Sequence, residues 1–179
     1  MSEEIKRIVI IGPESTGKST LCAELAQHYQ TVWCPEYARA YLENNGTDYT
    51  YKDLLKISEG QLALEESLAD NAGNNLYFID TNMYVMKVWC EYVFNNCHSF
   101  ILEQIAERKY DLYLLCNIDL PWAYDELREY PDEAPRKELY EIYKELLQNQ
   151  DTPWNEISGT GAERLNAAIH AVEQFSNPS

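Results

Sequence analysis

Gly12-Pro13-Glu14-Ser15-Thr16-Gly17-Lys18-Ser19 fits the pattern G-x-x-x-x-G-K-[ST] at each fixed position. Its neighbours decide what the match means. Ile8-Val9-Ile10-Ile11, just before it, is an apolar, β-branched run suited to a strand buried on both faces. Just after it, Leu21, Leu25 and His28 or Tyr29 recur at helical spacing. Strand, glycine loop and helix in that order turn a string match into a phosphate-binding site, against the plainer reading of a glycine turn before an amphipathic helix.

The residue types suit the chemistry. Gly12 and Gly17 let the backbone wrap closely round a phosphate chain with its amides pointing inward. The following helix start adds unsatisfied N–H groups and the positive end of its dipole. Lys18 supplies a mobile positive charge, and the Ser19 hydroxyl is a ligand for Mg²⁺. Gly12, Pro13, Glu14, Ser15, Thr16, Gly17, Lys18, Ser19 and Thr20 are therefore assigned to the nucleotide, with ATP and Mg²⁺ as the expected cofactors. The loop alone does not choose among kinases, GTPases and motors.

A chain of 179 residues, 45% of them hydrophobic, supports one domain with a real core, taken here as residues 1–179. No apolar run approaches a membrane span, and Met-Ser-Glu-Glu is no signal peptide. Five cysteines without a C-x-x-C pair suit a reducing, cytoplasmic setting. A net charge of −16 disfavours nucleic acid or an anionic membrane as partner, and leaves homo-oligomerisation open. It also makes the few cations informative, among them Lys18, Arg39, Arg128, Arg136 and Lys137.

Taken in order, strand-like and helix-like segments alternate. Thr31–Cys34 reads as a second strand ended by Pro35, Ala40–Glu43 as a short helix, and Tyr51–Ala72 as a long one with Leu54, Ile57, Leu64 and Leu68 on one face. Leu76-Tyr77-Phe78-Ile79-Asp80 is a third strand, apolar until its terminal carboxylate. Asp80 then faces the metal beside the phosphate loop or caps the helix from Asn82; the loop favours the first. Helices over Asn82–Tyr92 and Ser99–Lys109, strands Leu112–Cys116 and Trp154–Ile157, and a last helix bearing Leu165, Ile169 and Val172 complete the series. The expected fold is α/β: a P-loop NTPase three-layer sandwich, with a parallel sheet of about five strands flanked by helices. Residues 119–150 are expected to form a helical lid, with Arg128 and Arg136 on either side of a proline-bearing turn. There they would meet a transferring phosphate or, alternatively, pair with surface carboxylates.

Four segments carry a family resemblance. Gly12 to Leu21, Glu36-Tyr37-Ala38-Arg39, Phe78-Ile79-Asp80-Thr81 and Pro121-Trp122-Ala123-Tyr124-Asp125-Glu126-Leu127-Arg128 occur in the order found in the ribosylnicotinamide kinase domain of the bifunctional NadR proteins, which the chain resembles over nearly its whole length. The chain begins just before its first strand, so the adenylyltransferase domain of those proteins is expected to be absent. The resemblance implies ATP-dependent phosphorylation of the 5′-hydroxyl of nicotinamide riboside. It places Glu36 beside the acceptor hydroxyl as proton acceptor, with Arg39 anchoring it or reaching a phosphate. Lys18, Glu36, Asp80, Arg128 and Arg136 are then the catalytic set, and Ser19 and Asp80 the metal side. Trp122, Trp89 and Tyr41 are the aromatic candidates for the cationic ring, and Ser158 and Gly159, after the fifth strand, are expected near the adenine. A regulatory P-loop ATPase, or a kinase of another nucleoside-like substrate, is the alternative. Cys116-Asn117-Ile118-Asp119 lacks the lysine of a guanine-reading N-K-x-D motif.

Overall fold

The computed structural model describes residues 4–121 and 133–178. Five strands, β1 (Lys6–Ile11), β2 (Trp33–Cys34), β3 (Leu76–Asp80), β4 (Leu112–Cys116) and β5 (Trp154–Ile157), form one parallel sheet in the order β2-β3-β1-β4-β5. The central position of β1, with Ile8 paired to Phe78 on one side and to Leu112 on the other, explains its unbroken apolar run. Alternate side chains divide the core. Ile8, Ile10, Phe78 and Leu114 pack on one face beneath helices α1 (Lys18–His28) and α7 (Gly161–Ser176). Val9, Ile11, Ile79 and Leu115 pack on the other. That second face is covered by α3 (Tyr51–Ala69), α4 (Met83–Phe94) and α6 (Glu133–Gln148). Each of these fully buried apolar side chains contributes about 1.5–3 kcal/mol of apolar burial.

A third cluster lies outside the sheet. Ala38 of α2 (Tyr37–Asn45), Leu54 and Ile57 of α3, Met83 and Met86 of α4 and Ile101 of α5 (Ser99–Glu107) pack together there. The four apolar residues expected on one face of α3 are thus divided: Leu54 and Ile57 serve this cluster, while Leu64 and Leu68 pack against the sheet. The helix after β2 starts at Tyr37 rather than Ala40, because Glu36 already stands as its extended N-cap. Helix α3 stops at Ala69 rather than Ala72, and Asn74 and Asn75 then turn the chain into β3 with φ of 53° and 58°. Among the described residues, no helix is long and apolar enough to cross a membrane.

Candidate active site

The phosphate loop leaves β1 at the C-terminal edge of the sheet, where crevices form between strands that diverge in sequence order. Gly17 holds φ at 74°, a region costly for side-chain-bearing residues. At Gly12 a Cβ would meet the Cys116 carbonyl oxygen at 2.9 Å, so close approach of the β4 backbone requires glycine. The Thr16 hydroxyl and the Lys18 ammonium both donate to the Pro13 carbonyl, at 2.7 and 2.9 Å, closing the loop on itself. Helix α1 begins at Lys18 with no side-chain cap, so its first-turn amides remain for a ligand.

The Ser19 hydroxyl donates to Asp80 Oδ2 at 2.6 Å, which brings the two expected metal-side oxygens together. Asp80 is fully buried; burial raises its carboxyl above the ordinary range, against the pull of Lys18 and the Ser19 hydroxyl. Helix α4 is capped instead by Asn82, whose side chain accepts from the Tyr84 amide at 3.1 Å. A hydroxyl and one desolvated carboxylate form the hard-oxygen set that Mg²⁺ takes when phosphates and water complete its shell, so the residues present fit that ion. Between Asp80 and Asn82, Thr81 is held at φ 77°, a strained conformation for a β-branched residue that costs about 1–3 kcal/mol. The strain falls at the edge of the cavity described next, where backbone direction sets which groups face a ligand.

That cavity, of about 600 Å³, runs from the phosphate loop toward α2 and α4. Lys18, Glu36, Arg39, Tyr49, Trp89 and Tyr92 line it, and α6 adds Leu139 and Tyr143. Burial, with the Asp80 and Glu14 charges, pushes the Glu36 carboxyl up to about 7 despite the opposing attraction of Lys18 and Arg39. Trp89 donates from its indole N–H to the Tyr49 hydroxyl at 2.8 Å, and the two rings meet edge to face at 4.9 Å. Tyr41, expected at the acceptor, is absent from the lining; its hydroxyl donates to Asp53 Oδ1 at 2.6 Å. The Thr50 amide donates to the other oxygen of that carboxylate, so Asp53 closes the start of α3 and draws Tyr41 away from the cavity. Trp122 and Arg128 lie outside the described residues.

On the other flank of the loop, Ser158 and Gly159 stand beyond β5 and do not line the cavity. One guanidinium organises this flank. Arg164, 4% exposed, donates to the carbonyls of Thr16 in the phosphate loop, Asn117 beyond β4 and Gly159 beyond β5, and to the Asp119 carboxylate. Asp119 also accepts from the Gly159 amide at 2.6 Å. Burial works against its charge, but that amide and Arg164 outweigh it and hold the carboxyl low. Arg136, in the helix of the expected lid, is buried and donates to the carbonyls of Ser15 and Leu120 at 3.1 and 2.8 Å. It therefore reaches the phosphate loop through the loop backbone.

Reading the sequence did not single out Arg164 or Gln61. Both carry the same signal: a polar residue on an apolar helical stripe. Arg164 shares its stripe with Ala168, Ala171 and Val172, and Gln61 shares one with Leu54, Ile57 and Ser58. The buried Gln61 accepts from the Tyr37 amide at 2.8 Å and donates to the Pro35 carbonyl at 3.3 Å.

A family described as an AAA domain matches residues 7–164. The trifunctional NAD biosynthesis/regulator protein NadR of Escherichia coli (strain K12) is 32% identical over 151 residues, 82% of this chain and 37% of that protein. The chain thus spans little more than a third of the length of that relative. A crystal structure of a NadR protein in complex with NR superposes with a TM-score of 0.74 at 24% identity, covering 95% of this chain and 49% of the other. A deoxyadenosine kinase from M. mycoides with bound dATP gives 0.61 at 17% identity, covering 94% of this chain and 99% of the kinase. The fold is that of P-loop kinases.

Proposed function

Since the chain belongs to the family of AAA domains, with a phosphate loop complete at every position, we propose that it is an ATP-dependent kinase that phosphorylates the 5′-hydroxyl of nicotinamide riboside, giving nicotinamide mononucleotide. The observation that carries the reading is the cavity in which Lys18 and Glu36 face one space, with the Ser19–Asp80 pair alongside. The cavity of about 600 Å³ extends past the phosphate loop to Arg39, Tyr49, Trp89 and Tyr92, room that a kinase needs for its second substrate and an ATPase does not. The likeness to NadR, and the NR in one NadR structure, supply the choice of nucleoside.

The residues divide the work. The loop amides and Lys18 hold the phosphate chain, and Lys18 balances charge on the phosphoryl group as it moves. Bound Mg²⁺, held by Ser19 and Asp80, would neutralise phosphate charge. Glu36 orients the acceptor hydroxyl and takes its proton, and a carboxyl near 7 matches that task at neutral pH. Arg39, on the same cavity wall, steadies Glu36 or meets a phosphate. Arg136, anchored on the Ser15 carbonyl, keeps a further positive charge against the loop. The acidic, aromatic wall of Glu14, Glu36, Tyr49, Trp89 and Tyr92 suits a cationic nicotinamide ring.

The test is ADP release from ATP and Mg²⁺ with and without nicotinamide riboside, with the product read by mass. Riboside-dependent release and a phosphorylated riboside are expected. Release indifferent to any nucleoside would make the protein an ATPase, and stimulation by a different nucleoside alone would move the acceptor assignment to that compound.

A further inference from the structure

We infer that Gln61 is a positioning residue for acceptor phosphorylation: from inside α3 it pins the backbone on both sides of Glu36 and so sets where that carboxylate points. The inference rests on the reading of Glu36 given above. Glu36 sits in a short extended bridge between β2, which ends at Cys34, and α2, which starts at Tyr37. Such a bridge has little sheet or helix hydrogen bonding of its own, so its geometry depends on outside partners. Gln61 supplies them. Its Oε1 accepts from the Tyr37 amide at 2.8 Å, and its Nε2 donates to the Pro35 carbonyl and to Cys34 Sγ, each at 3.3 Å. The contacted residues are 34, 35 and 37, and the residue spanned is 36.

The surroundings make this bracket stiff. Gln61 is 1% exposed, so none of its bonds is shared with solvent. Its neighbour Gly60 leaves room for the Tyr37 ring: a Cβ at Gly60 would lie 2.1 Å from Tyr37 Cε1. Residues 60 and 61 thus hold the same turn, one by hydrogen bonds and the other by close packing. All three Gln61 bonds go to residues on either side of one cavity-lining carboxylate.

Displacement of a reacting group by about 1 Å can cost up to ~10²-fold in rate. Gln61→Met keeps the length of the side chain and removes all three bonds. The expected result is a 10- to 100-fold fall in kcat for riboside phosphorylation, roughly, with ATP affinity changed by less than about 3-fold. In a Glu36→Gln background the same substitution should cost less than about 3-fold more, because the group it positions no longer takes the proton. Gln61→Glu, which keeps the acceptor for the Tyr37 amide and exchanges the amide Nε2 for a carboxyl oxygen, should give a smaller loss of the same kind and serves if Gln61→Met does not fold. Multiplicative losses in the double variant, or equal losses in kcat and ATP affinity, overturn the inference while the kinase reading stands. A Glu36→Gln protein that turns over at the wild-type rate removes the reading of Glu36 itself, and this inference with it.

Discussion

Beyond β4 and β5 the loops are drawn together round Arg164, whose guanidinium reaches the phosphate loop and both strand ends at once; beyond β2 and β3 the same edge of the sheet opens into a cavity of about 600 Å³. The first flank is a hydrogen-bonded support whose partners favour the charge it carries: the Gly159 amide and Arg164 hold the Asp119 carboxyl below its ordinary range. The second carries strain and unfavourable electrostatics: Thr81 at positive φ, Asp80 buried, and Glu36 raised to about 7. A kinase asks for this asymmetry. The donor is the same in every turnover and profits from a preformed seat, whereas the acceptor hydroxyl must be recognised and relieved of a proton. If so, substitutions on the two flanks separate two kinetic quantities.

The largest effect is expected at Glu36. Glu36→Gln keeps the size and a hydrogen-bonding group but cannot take the proton, so phosphorylation of the acceptor should fall by about 10²–10⁴-fold. ATP affinity should hold, and slow hydrolysis of ATP to water should survive. Measuring both rates in one preparation at saturating ATP decides the matter. A parallel fall in ATP affinity would place Glu36 on the donor flank and break the contrast.

Local patterns made the phosphate loop and its pairing with Asp80 legible before any coordinates. The loop is contiguous, its strand and helix adjoin it, β3 and β4 have the bounds that their apolar runs announce, and the more polar β5 has the expected bounds too. Asp80 could be placed because a strand end is a fixed position relative to the loop. Tyr41 and Gln61 could not, since their roles depend on which helix faces which. Tyr41 is spent on the Asp53 cap of the neighbouring helix, a contact that no spacing within α2 reveals. Arg164 lies 148 residues from the Thr16 carbonyl it bonds, and only the order of strands in the sheet brings the two together.

A middle-sized effect belongs to the donor flank. Arg164→Met leaves the Thr16, Asn117 and Gly159 carbonyls without the guanidinium and Asp119 without its cation. The loops beyond β4 and β5 should loosen against the phosphate loop, weakening ATP binding by roughly 10-fold, on the scale of one or two lost buried hydrogen bonds. KM for the riboside should change little. Equilibrium titration with ATP, alongside steady-state kinetics, reads both. A variant whose riboside KM rises as much as its ATP constant would show that the two flanks are not separable.

The smallest effect is on stability, and its sign is opposite to the effect on rate. In the folded protein the Glu36 carboxyl is raised from 4.5 to about 7, foremost by burial and then by the Asp80 charge. The folded state therefore binds this proton more tightly than the unfolded state does. Below about pH 4.5 both states hold the proton and Glu36 costs nothing. Between 4.5 and about 7 the unfolded chain releases it first, so stability falls as pH rises, and above 7 the full cost remains. At 1.36 kcal/mol for each pH unit of displacement, that cost is on the order of 1–3 kcal/mol. Glu36→Gln carries no ionisable group there and escapes it. Thermal unfolding of the nucleotide-free protein should show the variant closest to wild type near pH 4 and a few degrees more stable near pH 8. A variant that loses ground to wild type as pH rises would mean that Lys18 and Arg39 more than compensate the buried charge. The acceptor flank would then be as settled electrostatically as the donor flank, and the carboxylate too content in its ionised form to serve as a base near neutrality.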